Sequence, residues 1–158
     1  MEELDTYRQE LLSALEGVVK ALSKTLASIS THAWLLSYGQ DTHTPHYTLA
    51  HLRELEEQVF SLQLCRILEE DSPVLPIFDD KAWMAGHYDP GKPARLILEE
   101  FTHLRTQEVN GLRALPSEGW SRIARHPWWG VHTLQWWVEL QLDYSHQHLK
   151  ELAAFLAM

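Results

Sequence analysis

Hydrophobic residues recur every three or four positions in four separate stretches of this chain, which is the spacing of an amphipathic helix. The first stretch predicts a helix over residues 3–36 that ends at a glycine cap in Tyr38-Gly39. Residues 40–47 contain proline and several polar side chains and are predicted to form a loop. The second stretch predicts a helix over residues 48–70, with Thr48 as its N-cap.

The second half of the chain repeats the pattern. A third helix is predicted over residues 93–114, and a fourth from the N-cap Thr133 to near the end of the sequence. Residues 71–93 and 116–130 are long, aromatic-rich connections, and no stretch shows the alternation of a strand. We therefore predict an all-α, up-down four-helix bundle that forms one domain over residues 1–158.

Composition narrows the function classes. The chain has 158 residues, 45% of them hydrophobic, and a formal net charge of −9. No basic run exceeds a dipeptide, so no nucleic-acid partner is expected, and no apolar stretch is long enough to span a membrane. The acidic N-terminus is unlike a secretory signal, and we expect a cytoplasmic protein. The single cysteine, Cys65, is predicted to be a small buried hydrophobe.

The fourth helix carries a histidine in its apolar stripe. Helical spacing places these residues on one face: Leu134, Trp137, Gln141, Tyr144, His148, Leu152 and Phe155. Tyr144 lies four residues before His148, where a helix that binds a metal through two residues would carry a second histidine. The stripe therefore indicates a metal site, a degraded metal site, or a bundle core with a polar plug.

Several short motifs resemble the DinB-like superfamily of four-helix bundles, which includes thiol-dependent transferases and metal-dependent hydrolases. They occur in the family's order along nearly the whole chain: Thr48–Glu56, Phe78–Trp83, Leu98–Arg105, His126–Gly130 with Thr133-Leu134, and His148–Leu152. In that family one histidine of helix two and a His-x-x-x-His pair of helix four hold a divalent metal, often nickel or zinc.

The resemblance implies His51 and His148 as metal ligands and departs from the family at Tyr144. His146 cannot replace the missing histidine, because two residues separate it from Tyr144 and rotate it about 200° around the helix. A tyrosine binds metal only as a phenolate, whereas its neutral hydroxyl is suited to a hydrogen bond with His148 or a water. A nickel or zinc ion is therefore expected to be weakly bound, or absent if Tyr144 does not ligate.

The other histidines have simpler interpretations. His126, before Pro127, is predicted to fix the backbone of a loop, and Glu54 and Glu56 are candidates to orient His51. The remaining histidines of interest are predicted to lie on the surface or in loops: His32, His43, His46, His87, His103 and His132.

Two functions follow from the resemblance and the site. The first is a metal-dependent hydrolase or thiol-group transferase that acts on an unknown small molecule. The second is a non-catalytic bundle with a degenerate metal site, which binds a small ligand or serves as a dimeric structural protein. Seven tryptophans exceed what one small bundle core readily buries, so we also expect a homodimer.

Overall fold

The computed structural model describes residues 2–36 and 43–156. Four bundle helices are joined by one shorter and two long connections, which confirms the predicted all-α four-helix bundle. The second bundle helix consists of three consecutive segments, of which the middle one is a six-residue π-helix. In chain order the helices are α1 (Glu2–Ala27), α2 (Pro45–Leu55), the π-segment (Glu56–Ser61), α3 (Leu62–Glu69), α4 (Asp80–His87), α5 (Ala94–Arg113) and α6 (Leu134–Leu156).

Two apolar clusters, one at each end of the bundle, show how the helices run. One contains Leu12 of α1 with Ile67 of α3, Leu112 of α5 and Leu134 of α6. The other contains the end of α1, the start of α2, the start of α5 and Leu152 of α6. The four bundle helices therefore run up, down, down and up, with α1 and α6 parallel to each other.

The long connection between α3 and α5 accounts for this order. It returns the chain to the end of the bundle where α2 began, so that the second and third bundle helices are parallel. The first and second bundle helices run in opposite directions, as predicted, and so do the third and fourth. The second and third run in the same direction, and the predicted alternation is broken there. Each of α2 and α1 packs against both α5 and α6.

Two predicted helix boundaries change. The helix α1 ends at Ala27, nine residues before the predicted boundary, and the predicted cap at Tyr38-Gly39 lies outside the described residues. The helix α2 starts at Pro45 because Thr44 is its N-cap, with the Tyr47 amide donating to the Thr44 hydroxyl oxygen at 3.0 Å. Thr48 lies buried inside the helix, so its predicted role as N-cap is wrong.

The second connection contains a short hairpin that the sequence pattern did not predict. Strand β1 (Ile123–His126) pairs antiparallel with β2 (Gly130–Thr133). On the outer edge of β1, the Leu75 amide donates to the Arg125 carbonyl, and the Arg125 amide donates to the Pro73 carbonyl. Gly130 has a φ of +81°, which glycine adopts without strain. Strands of four residues are too short to give a clear alternation. Thr133 then caps α6, as predicted, by accepting a hydrogen bond from the Trp136 amide.

A buried polar cluster lies between the two apolar clusters. Arg105 of α5 is 1% exposed and donates to both carboxylate oxygens of Glu56, to the Leu15 carbonyl of α1, and to the Ser145 hydroxyl of α6. Gln141 of α6 donates to Glu56 and to Glu108. These contacts connect all four bundle helices at the start of the π-segment.

Protonation balances the charge in this cluster. Burial would raise the pKa of Glu56, but the charge of Arg105 and the surrounding hydrogen bonds outweigh it and hold the pKa below its ordinary value. Burial and the neighbouring Glu56 carboxylate raise the pKa of Glu108 to about 10. Glu108 is therefore neutral near pH 7, and one cation faces one anion.

Two further predictions concern the burial of single residue types. Cys65 is exposed on the outer face of α3, so the prediction of a buried cysteine is wrong. The tryptophans are mostly covered by their own chain: Trp120 and Trp137 are buried, whereas Trp128 is 68% exposed. In the part of the chain that the structure describes, no helix is both long and apolar enough to cross a membrane.

Candidate functional site

A cavity of about 360 Å³ opens where α2, the π-segment and α6 meet the two aromatic connections. His51 and His148 line it from facing helices, and Tyr144 lies beside them. The lining of the cavity is more apolar than polar. The residues that line it are His43, His51, Leu55, Val59, Phe60, Gln63, Pro76, Phe78, Asp80, His126, Trp128, Trp129, Tyr144, Gln147, His148 and Glu151.

The two histidines are in direct contact, which agrees with the resemblance that implied them as ligands of one ion. His51 Nδ1 lies 3.3 Å from His148 Nε2, and the ring centroids are 5.1 Å apart. The outer nitrogen of each ring faces an oxygen acceptor. His148 Nδ1 is 2.8 Å from the Tyr144 backbone carbonyl, and His51 Nε2 is 2.8 Å from Asp80 Oδ2.

These outer contacts fix the protons of the pair. A carbonyl and a carboxylate only accept hydrogen bonds, so His148 Nδ1 and His51 Nε2 both carry hydrogen. If both rings are neutral, the lone pairs of His51 Nδ1 and His148 Nε2 face each other. A shared proton or a metal ion between them relieves that repulsion. Burial, followed by the neighbouring His51, lowers the pKa of His148, which disfavours its own protonation.

Tyr144 contributes its backbone more than its hydroxyl. Its ring packs against Phe60 and Trp129, at centroid distances of 5.7 and 6.4 Å. Among the described residues its hydroxyl has no hydrogen-bond partner, so the structure does not show the predicted bond to His148. Burial and the negative charge of Asp80 raise the pKa of Tyr144, which keeps the phenol neutral. On α6, Ser145 lies on the fully buried face, and Tyr144 does not.

The short helix α4 positions Asp80, a site residue that the sequence pattern did not identify. Asp79 caps α4 by accepting a hydrogen bond from the Ala82 amide at 3.1 Å. Trp83 Nε1 donates to Glu54 Oε2 at 2.8 Å and thereby fastens α4 to α2. Asp80, the first residue of α4, then reaches His51.

The predicted partners of His51 have other roles. Glu54 holds Trp83, and Glu56 points into the buried cluster with Arg105. Asp80 lies within the motif Phe78–Trp83, which was one of those that resemble the family. That motif gave no information on which helix the carboxylate would face.

His126 lies on β1 and closes the cavity from the hairpin side. Its Nδ1 accepts hydrogen bonds from the backbone amides of Trp128 and Trp129, at 3.1 and 3.4 Å. Its ring stacks on Trp129 with centroids 4.7 Å apart. The prediction that His126 fixes the backbone agrees with these bonds, although the residue is in a strand and is buried. Burial lowers its pKa.

One further histidine differs from its predicted place. His46 is buried, with one ring nitrogen 2.8 Å from the Tyr88 hydroxyl and the other 2.6 Å from the Lys92 carbonyl. It ties the start of α2 to the connection before α5, and in the described part of the chain it has neither a hydrogen bond nor a ring contact with His51 or His148.

The donor set fits a metal ion only in part. The facing nitrogens of His51 and His148 are close enough for one ion, because metal–nitrogen bonds are about 2.1 Å long. Their outer N–H groups are held by oxygen acceptors, which is how metal-binding histidines are usually oriented. Within residues 2–36 and 43–156, however, no three His, Cys, Asp or Glu side chains are placed to share an ion.

Comparison with known proteins adds a family and a fold. The family model for the DinB superfamily matches residues 3–152. The solved structure of YfiT from Bacillus subtilis, described as a probable metal-dependent hydrolase with an unusual four-helix bundle topology, superposes with a TM-score of 0.83. It is 20% identical in sequence, and the similarity covers 94% of this chain and 85% of that one. No curated protein sequence matches.

Proposed function

Because this chain belongs to the DinB superfamily, we propose that it is a metal-dependent hydrolase of a small molecule, with His51 and His148 as its two protein ligands for a divalent ion. The single observation that supports the proposal best is the pair of ring nitrogens facing each other at 3.3 Å inside a cavity. Zinc and nickel suit imidazole ligands, and either would meet the same two nitrogens.

The surrounding residues support hydrolysis in two ways. Asp80 and the Tyr144 carbonyl hold the rings in the tautomers that direct their lone pairs into the cavity. The apolar lining of the cavity keeps bulk water away from a bound substrate. This strengthens polar interactions at the rings of His51 and His148. A divalent ion in such a site supplies Lewis acidity. Hydrolysis is preferred to the predicted thiol-group transfer because it needs only water as its second reactant.

Tyr144, at the position where the resemblance calls for a third histidine ligand, favours one competing function. A degenerate site with two imidazoles would leave a non-catalytic bundle that binds a small ligand in the same cavity. In that case a shared proton between His51 and His148 would replace the ion. Metal content and metal-dependent activity distinguish the two functions.

The test uses the purified protein, first stripped of metal by a chelator and then supplied with zinc or nickel. We expect stoichiometric binding at micromolar or higher metal concentration and metal-dependent cleavage within a panel of chromogenic esters and amides. Both H51Q and H148Q should lose binding and cleavage. H103Q, which changes an exposed histidine of α5, is the matched control and should keep them. Failure to bind either metal would support the non-catalytic bundle instead.

A further inference from the structure

The charges that face the cavity restrict its ligand. Among the described residues that line the cavity there is no lysine or arginine, whereas Asp80 and Glu151 both line it. The chain as a whole carries a formal net charge of −9. An anionic ligand that enters the metal-free cavity would meet a negative field with no basic side chain to pair with its charge, so an uncharged ligand fits the metal-free protein better.

The tautomer of His126 supplies a hydrogen-bond donor to this cavity. Its Nδ1 accepts from two backbone amides, so the neutral ring must carry its hydrogen on Nε2. Among the described residues nothing is hydrogen-bonded to that Nε2–H. His126 is 5% exposed and lines the cavity, and the stacked Trp129 fixes the direction of this donor. Burial lowers the pKa of His126 and keeps the ring neutral.

Gln63 has an unpaired side-chain amide at the wall of the same cavity. It lies on α3 and is 3% exposed, its Oε1 is buried, and no described residue is hydrogen-bonded to either end of the amide, so a rotation about its last torsion angle brings the Oε1 acceptor to the cavity. An orphaned buried oxygen costs free energy until a donor reaches it. A ligand with an N–H group would satisfy Gln63, and one with a carbonyl oxygen would satisfy His126.

We propose that the cavity binds an uncharged carboxamide with an apolar arm, and that His126 Nε2–H donates to the carbonyl oxygen while Gln63 Oε1 accepts from the amide N–H. The apolar arm packs on the aromatic side chains of Phe60 and Trp129. His126 is here a binding and polarising residue. This assignment rests on the proposed function, because the carboxamide would be the compound that the hydrolase cleaves. The binding step itself requires no metal.

The tautomer can be measured directly. Nitrogen-15 NMR of the metal-free protein near pH 7 should show His126 as the neutral Nε2–H tautomer. Observation of the Nδ1–H tautomer, or of an imidazolium, would overturn the assignment.

Ligand selectivity is tested with matched pairs of probes that differ only in charge. Phenylacetamide and hexanamide are titrated into the chelator-treated protein, alongside phenylacetate and hexanoate, and binding is followed by tryptophan fluorescence and NMR. At least one amide should bind tenfold or more tightly than its carboxylate. Equal affinity within both pairs, or no binding by either amide, would overturn the proposal.

Two substitutions separate the donor from the backbone anchor. His126→Asn keeps an acceptor for the Trp128 and Trp129 amides but has no donor at the Nε2 position, so it should weaken amide binding about tenfold with little effect on stability. His126→Gln keeps a donor and loses the anchor, so stability should fall more than in His126→Asn. His103→Asn is the exposed control and should bind as the parent does. Unchanged amide affinity in His126→Asn would contradict the proposal, and if that variant fails to fold the probe pairs still decide.

The outcomes also separate this inference from the proposed function. Selective amide binding that depends on His126, without any metal-dependent cleavage, would support the ligand class and remove the hydrolase. Metal-dependent cleavage that H126N leaves unchanged would support the hydrolase and remove the role of His126.

Discussion

The roles of single residues at this site depend on which atom of each side chain is already engaged. His51 and His148 each donate a hydrogen bond from one ring nitrogen to an oxygen acceptor. The second nitrogens of the two rings therefore point to the same place. His126 uses its Nδ1 on two amides and so presents a hydrogen instead of a lone pair. Three of the four histidines that line the cavity therefore have two different chemical roles.

Replacing Tyr144 with histidine should tighten metal binding. The new imidazole would lie one turn before His148, and the backbone carbonyl that holds His148 would be retained. Because orienting partners alone change metal affinity by about 10–100-fold, we expect at least ~10-fold tighter zinc or nickel binding by calorimetric titration. Y144F serves as the control. Equal affinity in Y144H and the parent protein would mean that position 144 does not face the ion.

Replacing Glu108 with glutamine should flatten the dependence of stability on pH. Its pKa is about 10 in the folded protein, against an ordinary 4.5, so the folded state keeps a proton that the unfolded chain releases between those values. The free energy of unfolding should therefore fall as pH rises through this window. Urea denaturation at pH 6 and pH 9 should show a larger loss in the parent than in E108Q. E10Q, at an exposed glutamate of α1, should behave as the parent; equal slopes in all three proteins would refute this.

At the scale of elements, the π-segment joins the core to the site. Glu56, at its start, is held by Arg105 in the buried cluster, and Phe60, near its end, lines the cavity beside Tyr144. π-helical turns inside α-helices are rare and frequently occur at functional sites. This one lets consecutive turns of the second bundle helix serve the buried ion pair and the cavity.

Removing the cation of the buried cluster should destabilise the whole bundle. In R105M, Glu56 loses its partner while remaining almost completely buried, and loss of one partner of a buried pair typically costs about 3–5 kcal/mol. Urea denaturation provides the measurement. R113M is the matched control, because the Arg113–Glu16 pair is exposed and worth about 0–1 kcal/mol. Similar losses in the two variants would show that Glu56 finds another way to be neutralised.

The sequence predicted long elements well and short ones poorly. Periodicity gave the third bundle helix almost to the residue, since α5 covers Ala94–Arg113. It did not give α4 or the hairpin, because eight-residue and four-residue elements contain too few repeats. Asp80 was missed for the same reason, since its role depends on how α4 docks through Trp83 onto α2. The Arg105 cluster was missed because charged residues on a helix are usually solvated.

At the scale of the whole molecule, the sheet formed by the second connection has an exposed face on which aliphatic side chains surround Arg125. Residues directly opposite each other in a sheet point to the same side. Arg125 is paired with Val131 on one side and bridged to Val74 on the other, and both valines are exposed. Ile123, two residues before Arg125 on the same strand, lies on this face and is also exposed.

The homodimer predicted from the tryptophan count stays a prediction, and this face is where we expect it to form. Light scattering at micromolar concentration should give a mass near twice the chain's 18.4 kDa. V131E should shift the mass towards that of one chain, because it replaces an exposed aliphatic side chain of this face with a carboxylate that a partner chain would have to desolvate. L62E, at an exposed position on α3, is the control and should leave the mass unchanged. A parent mass near 18.4 kDa would rule out the dimer.

The parallel packing of α1 against α6 has a consequence for how the protein is made. The ribosome synthesises α6 more than 100 residues after α1. Both apolar clusters and the contact between His51 and His148 need residues of α6. At about 5–20 residues per second, the apolar face of α1 lacks this partner for several seconds in the nascent chain. During that interval the chain exposes surface that chaperones recognise, and the site cannot form before the bundle closes.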